Sequence, residues 1–281
     1  LSNKRMTRSD LFLALRLLLF SRPGSSWTYI ARAVGSPRPK LATTSQPVFN
    51  LFDLYLHECR ASSRARKINC DPSWYSETVE HIASWGYVVL QYILDWDVAK
   101  QIGEAGEMPY LAPLLEWLGN LTLDGTRVHA DFSRKAVMGH SRGGKLAALH
   151  YASNSTAGGI TTAILLDPVD CMLSGKAHPS AVAKLLGADV SCGEPLEGGR
   201  LPSRRSKLAA AVMGAAPMSK CTPNGTSYQS FADAVSLDSW KIWIIKGGHM
   251  GFASSSDEAY LTLDEQCGAG EVPPQRRGNG Y

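Results

Sequence analysis

The chain has 281 residues, 44% of them apolar and 19% charged, with 26 glycines and 15 prolines. That is enough for one α/β core and too little for two large domains. The net charge of +4 gives no support for nucleic-acid binding: residues 1–46 hold eight Lys and Arg against Asp10 alone, so the rest of the chain is net acidic. Six cysteines, at 59, 70, 171, 192, 221 and 267, lie far apart without a C-x-x-C pair. This spacing argues against a metal site, and in a chain of this size reduced or occasionally paired thiols are expected.

The N-terminal segment 1–46 is rich in arginine and poor in acid, as amphipathic transit peptides are. Its apolar run, Leu11–Phe20, is interrupted by Arg16 and too short to span a bilayer. A transit-type targeting segment is therefore expected, with a secretory signal as the alternative. Residues 47–265 are expected to form the folded domain and 266–281 a disordered tail. Strand-like and helix-like segments alternate through 47–265 without an internal repeat, the pattern of a mostly parallel sheet. Helices are expected over Ser76–Ser84 and Tyr110–Leu121; in the latter, Leu111, Leu114, Leu115 and Leu118 recur at helical spacing, a core-facing stripe.

The most informative stretch comes next. A short apolar run, Ala136–Met138, leads into Gly139-His140-Ser141-Arg142-Gly143, and a helix-like stretch follows from Lys145 to Ala152. Strand, G-x-S-x-G, helix is the signature of a nucleophile elbow. The serine must sit on a turn too tight for side chains two residues away, so both flanking positions are glycine. The turn also directs the first N–H groups of the helix, that of Arg142 foremost, at a developing oxyanion.

The partners of such a serine follow in the order acid, then histidine. Ile160–Leu166 reads as a buried strand and ends at Asp167-Pro168, where proline stops the ladder. Asp167 thus stands at a carboxyl strand end, the ligand-binding edge of open α/β sheets. Asp170, three residues on, is the rival acid. Residues 174–207 read equally as a lid or substrate-binding surface and as a solvated loop. Trp240–Ile245 is another strand-like run, followed by Gly247-Gly248-His249, so His249 is a loop histidine just past a strand. Ser141 would attack an acyl carbon, His249 would move the proton, and Asp167 would orient the imidazole.

Together, Gly139-His140-Ser141-Arg142-Gly143-Gly144-Lys145, Leu166-Asp167-Pro168-Val169-Asp170 and Gly247-Gly248-His249-Met250 resemble the chlorophyllases. His81-Ile82-Ala83-Ser84-Trp85-Gly86 and Cys221-Thr222-Pro223-Asn224-Gly225 are similar to further stretches of that family. The resemblance implies an α/β-hydrolase with a mostly parallel central sheet and helices on both faces. It implies a Ser141-Asp167-His249 triad working without metal or organic cofactor. The substrate would be a chlorophyll-like ester, cleaved to chlorophyllide and phytol, and a peripheral membrane contact would fit so apolar a substrate. The oligomeric state is not legible. In the family a His-Gly turn after an early strand gives the second oxyanion N–H; here the turn reads His57-Glu58-Cys59, which puts Cys59 at the donor position and a glutamate where glycine is expected. That substitution leaves two alternatives open: a general carboxylesterase or lipase on the same scaffold, and a degenerate hydrolase acting as a binding protein.

Overall fold

A computed structural model describes residues 49–55, 72–85, 87–92, 96–119, 122–123, 126–127, 130–153, 159–172, 174–194, 205–216, 218–268 and 270. The expected targeting segment and the His57-Glu58-Cys59 turn lie outside these residues.

The sheet is built from six strands that all pair in parallel: β1 (Phe49–Tyr55), β2 (Tyr87–Tyr92), β5 (Ala130–His140), β6 (Ile160–Leu166), β9 (Ala211–Ala216) and β10 (Trp240–Ile245). Their spatial order is β2-β1-β5-β6-β9-β10. Between β2 and β5 lie the two short strands β3 (Thr122–Leu123) and β4 (Thr126–Arg127), an antiparallel pair outside this sheet. Parallel neighbours need crossovers, and helices supply them. These are α1 (Ser76–Ser84), α2 (Trp96–Glu107), α3 (Leu111–Gly119), α4 (Arg142–Ser153), α5 (Ala181–Leu185) and α6 (Tyr228–Ala234), while α7 (Glu258–Gln266) follows the last strand. The strand order reverses once: β1 passes outward to β2, and the chain then returns across β1 to β5. The crevice at such a reversal, outside the carboxyl strand ends, is where doubly wound sheets bind ligands. Ser141 directly follows β5, at that reversal.

Alternate strand residues enter two separate cores. Val88 and Leu90 of β2, Val137 of β5 and Leu165 of β6 join α3, α4, α5 and α6 on one face. Val89, Met138 and Leu166, one residue out of step, join Val79 of α1 and Leu263 of α7 on the other. This is the period of two expected of a strand buried on both faces. The edge strand β10 departs from it. Its apolar run reads like a central strand, yet it lies at the sheet edge among the described residues, and Trp240 and Ile245 are 71% and 80% exposed.

The region 174–207, left open between lid and loop, holds in its described part an antiparallel pair, β7 (Gly175–Pro179) and β8 (Ser191–Cys192), with α5 between them. Cys192 is bonded to Cys171 and Cys221 to Cys267. These four thiols are paired, where the sequence left reduced and paired thiols both open. Structure also continues past the expected boundary at 265: α7 runs to Gln266, and Cys267 is buried and bridged. Among the described residues no helix is long and apolar enough to cross a membrane.

Leu165, fully buried in the central strand β6, gives a measure of the larger core. Leu165→Ala should cost about 2–5 kcal/mol, the range for a leucine truncated in a close-packed interior. Urea unfolding of the two proteins would read it, and a loss well under 1 kcal/mol would show that the packing there is loose.

Candidate active site

The elbow forms because the end of β5 runs against the first turn of α4. A Cβ at Gly139 would lie 2.1 Å from the carbonyl oxygen of Gly143, so no other residue fits. Ser141 takes a φ of +57°, the left-handed conformation that a non-glycine residue holds only when its surroundings enforce it. Three backbone bonds do so: the Ser141 N–H donates to Leu166 O, and the Ser141 carbonyl accepts from Lys145 and Val169. The run of backbone then turns into α4, which Arg142 opens. Amides of a first helical turn have no acceptor within the helix, and the positive end of the helix dipole adds to them.

Asp167 ends β6 with a φ of +40°. Its N–H donates to Met213 O, and one carboxylate oxygen, Oδ1, accepts from the N–H of Ala215 in β9. The other oxygen is 2.7 Å from Nδ1 of His249. Nε2 of His249 is 3.1 Å from Oγ of Ser141. An aspartate bound to Nδ1 leaves Nε2 as the atom facing the serine. Asp167 and His249 are almost fully buried, and Ser141 is 8% exposed, so water competes little for these contacts.

Asp170, the rival acid, lies elsewhere. It accepts from Ser180 Oγ at 2.7 Å and from the N–H groups of Ala181 and Val182 at the start of α5, and Lys145 Nζ is 3.5 Å away. It anchors α5 and the turn at Cys171, whose N–H it also accepts. Asp170 stands beside Cys171 and Cys192, but the two sulfurs are bonded to each other and are not thiolate donors. Ser141, Asp167, His249 and Arg142 are thus gathered at one place, while Cys59 is outside the described residues.

Sequence reasoning missed the charged cluster under the elbow. Arg142 Nε is 2.6 Å from Glu104, and its Nη1 is 3.0 Å from Glu107. Lys145 Nζ and His178 Nδ1 reach the second oxygen of Glu104, at 3.3 and 2.8 Å. The approach depends on Gly103, where α2 kinks: its φ is +60°, and a Cβ there would meet Ala177 O of β7 at 2.2 Å. Burial alone would raise the Glu104 pKa. Arg142, Lys145 and the His178 hydrogen bond outweigh it and hold the carboxyl at about 2. The sequence did carry one signal, two glutamates three apart on a helix, but their partners sit 35 to 74 positions away.

A nucleophile elbow after a central parallel strand, an acid after the next strand and a histidine past the last one define an α/β-hydrolase. The chlorophyllase family model matches residues 66–196, and the chain resembles that family, as its motifs imply. The matched span holds Ser141 and Asp167; His249 lies beyond it. The match supports a carboxylic ester hydrolase. No curated protein matches the chain. Among solved structures it is similar to a ferulic acid esterase from Streptomyces cinnamoneus, 18% identical, over 83% of this chain and 61% of that one, with a TM-score of 0.44. The chain thus spans about three-fifths of that esterase's length. It is also similar to Thermogutta terrifontis esterase 2 phosphoramylated by tabun, 12% identical, over 79% of this chain and 83% of that one, with a TM-score of 0.46.

Because the Glu104 carboxyl is held below its ordinary value of 4.5, its charge stabilises the fold above that pH and the contribution fades as pH falls toward 2. By linkage the amount is about 3 kcal/mol. Glu104→Gln should cost a similar amount at pH 7 and flatten the stability profile between pH 4.5 and 2. Denaturation across that window would check it, and an unchanged acid limb would assign the acid sensitivity to other carboxyls.

Proposed function

We propose that the chain hydrolyses carboxylic esters through Ser141, His249 and Asp167, and that its substrate is the phytyl ester of chlorophyll. The observation that carries the first half is the unbroken line from Asp167 Oδ2 through both nitrogens of His249 to Ser141 Oγ, at 2.7 and 3.1 Å. The second half is supported by the chlorophyllase match.

In this reading Ser141 Oγ attacks the ester carbonyl carbon while its proton passes to His249 Nε2. The carbonyl oxygen takes the displaced electron pair, and the N–H of Arg142 stabilises it, with Cys59 N–H as the second donor in the family pattern. The C–O bond to the alcohol breaks, and His249 returns the proton to the leaving phytol. Water then repeats the sequence on the acyl-enzyme, releasing chlorophyllide and restoring Ser141. Asp167 stabilises the imidazolium formed at each step.

The assembled line also favours a working enzyme over a degenerate binding protein, whose triad would be free to drift. Exposed Trp240, Trp243 and Ile245 on β10 would suit a peripheral contact with a membrane holding the substrate. For localisation, the N-terminal composition and the chlorophyll reading favour the chloroplast. The two disulfides favour the alternative, the secretory pathway, since oxidising compartments keep such bonds.

The test is incubation with chlorophyll a in detergent, followed by chromatography for chlorophyllide, beside a short nitrophenyl ester. The parent should act on both. Ser141→Ala and His249→Ala should each lose about 10⁶-fold in kcat and Asp167→Asn about 10⁴-fold, without adding up in combination. Cleavage of the short ester without chlorophyllide would keep the hydrolase and discard the substrate; folded protein inactive on both would discard the proposal.

A further inference from the structure

The sheet ladder fixes two of the three residues but not the third. Ser141 and Asp167 follow neighbouring strands and are tied by the bond from Ser141 N–H to Leu166 O. His249 follows β10, two strands further from β5, at the sheet edge. The backbone of His249 is reached instead by the residue before the nucleophile. Nε2 of His140 is 2.9 Å from the carbonyl oxygen of His249, and Nδ1 of His140 is 2.6 Å from the hydroxyl of Tyr75. The His140 ring also lies against the ring of His249, with centroids 4.6 Å apart, and near Phe252 at 5.7 Å. His140 and Tyr75 are buried, in a setting where a hydrogen bond is strong and an unmade one costly.

We infer that Tyr75 and His140 form a positioning pair that sets the gap between the nucleophile and its base. The inference rests on the triad reading above. The direction of the bonds follows from two facts: a carbonyl can only accept, and burial disfavours the charged form of the His140 ring. Nε2 of His140 therefore carries the proton, Nδ1 accepts, and the Tyr75 hydroxyl donates. Burial holds both groups in these forms, pushing the Tyr75 hydroxyl up and His140 well down from their ordinary values. Each end of the His140–His249 bond belongs to a reacting residue or its immediate neighbour, so movement there passes directly into the 3.1 Å contact between His249 Nε2 and Ser141 Oγ.

The pair is tested with His140→Leu, His140→Gln and Tyr75→Phe in the full chain, by kcat and KM on a short nitrophenyl ester, with circular dichroism to confirm the fold. His140→Leu removes the donor and should lower kcat by about 10- to 100-fold with KM within about twofold, the cost expected when a supporting contact lets a reacting group drift. His140→Gln places an amide N–H where Nε2–H stood and should recover most of that loss. Tyr75→Phe frees the other ring nitrogen and should cost about three- to tenfold in kcat. Unchanged kcat in folded His140→Leu, or equal losses in the leucine and glutamine variants, would overturn the pair. If His140→Leu does not fold, an unchanged kcat in Tyr75→Phe does so. A readout independent of turnover separates this from failure of the hydrolase reading: nitrogen NMR of the parent at pH 7 should show His140 protonated on Nε2 only. A proton on Nδ1 overturns the pair whatever the activity.

Discussion

The close crossing of β5 and the first turn of α4 is the constraint on which the rest of the site depends. With 2.1 Å between a would-be Cβ at Gly139 and the Gly143 carbonyl, the chain can pass only if residue 139 has no side chain. The tightness of that crossing forces Ser141 to a φ of +57°. A conformation of this kind costs roughly 1–3 kcal/mol in a non-glycine residue. Burial of both sheet faces around it offsets the cost, since Val137 and Met138 just upstream feed the two separate cores. Asp167 repeats the arrangement one strand over, with its own positive φ at the end of β6 and its N–H held by Met213. Strained backbone at both strand ends lifts the two side chains above the sheet edge, where regular strand geometry would have sent them into a core.

Under the elbow, the charged cluster answers a second problem. Arg142 and Lys145 sit on the first turn of a helix whose end is already positive, and Lys145 is buried. Two buried carboxylates, Glu104 and Glu107, meet them. Such clusters contribute less to stability than their contacts suggest, because desolvation consumes much of the Coulomb gain. Their stronger effect is on geometry: Arg142 is held at two nitrogens by two glutamates of one helix. The residue whose N–H would face the oxyanion is thereby fixed at its far end as well as by its backbone.

Much of this was legible in the residues. Ile160–Leu166 and Trp240–Ile245 were readable to the residue because apolar, β-branched runs bounded by Asp-Pro or glycine leave little choice of boundary. The helix expected over Tyr110–Leu121 is found as Leu111–Gly119 after a short 3-10 turn, a shift at the ends, where hydrogen bonds are least determined. β5 was readable only in its last three residues before the elbow, since polar Asp131, Ser133, Arg134 and Lys135 hide the strand that runs from Ala130. The order serine, acid, histidine pointed to three residues of which His249 lies within hydrogen-bond distance of the other two. What stayed hidden shares a cause. Glu104 with Arg142, Tyr75 with His140, and Cys221 with Cys267 are pairs made by the folded chain across 38 to 65 positions, with no local period to announce them.

The disulfides extend the same logic from the site to its rim. Cys171 lies four residues past Asp167, in a turn with a φ of +47°, and its bond to Cys192 fastens that turn to the β7–β8 pair. Cys267 closes α7 onto the loop before α6, beside the elements that carry His249. Loops past strand ends are the least supported parts of a parallel sheet, having left the ladder on one side and not yet joined a helix on the other. A cross-link there constrains the unfolded chain and holds the loop whose ladder has run out. The acid is thus secured from below by β9 and from above by a disulfide-bonded turn. The histidine, at the exposed edge of the sheet, relies on Asp167 and on the side chain beside the nucleophile. Backbone pairing ends with the strands, and past them side-chain bonds hold the acid and the histidine in place.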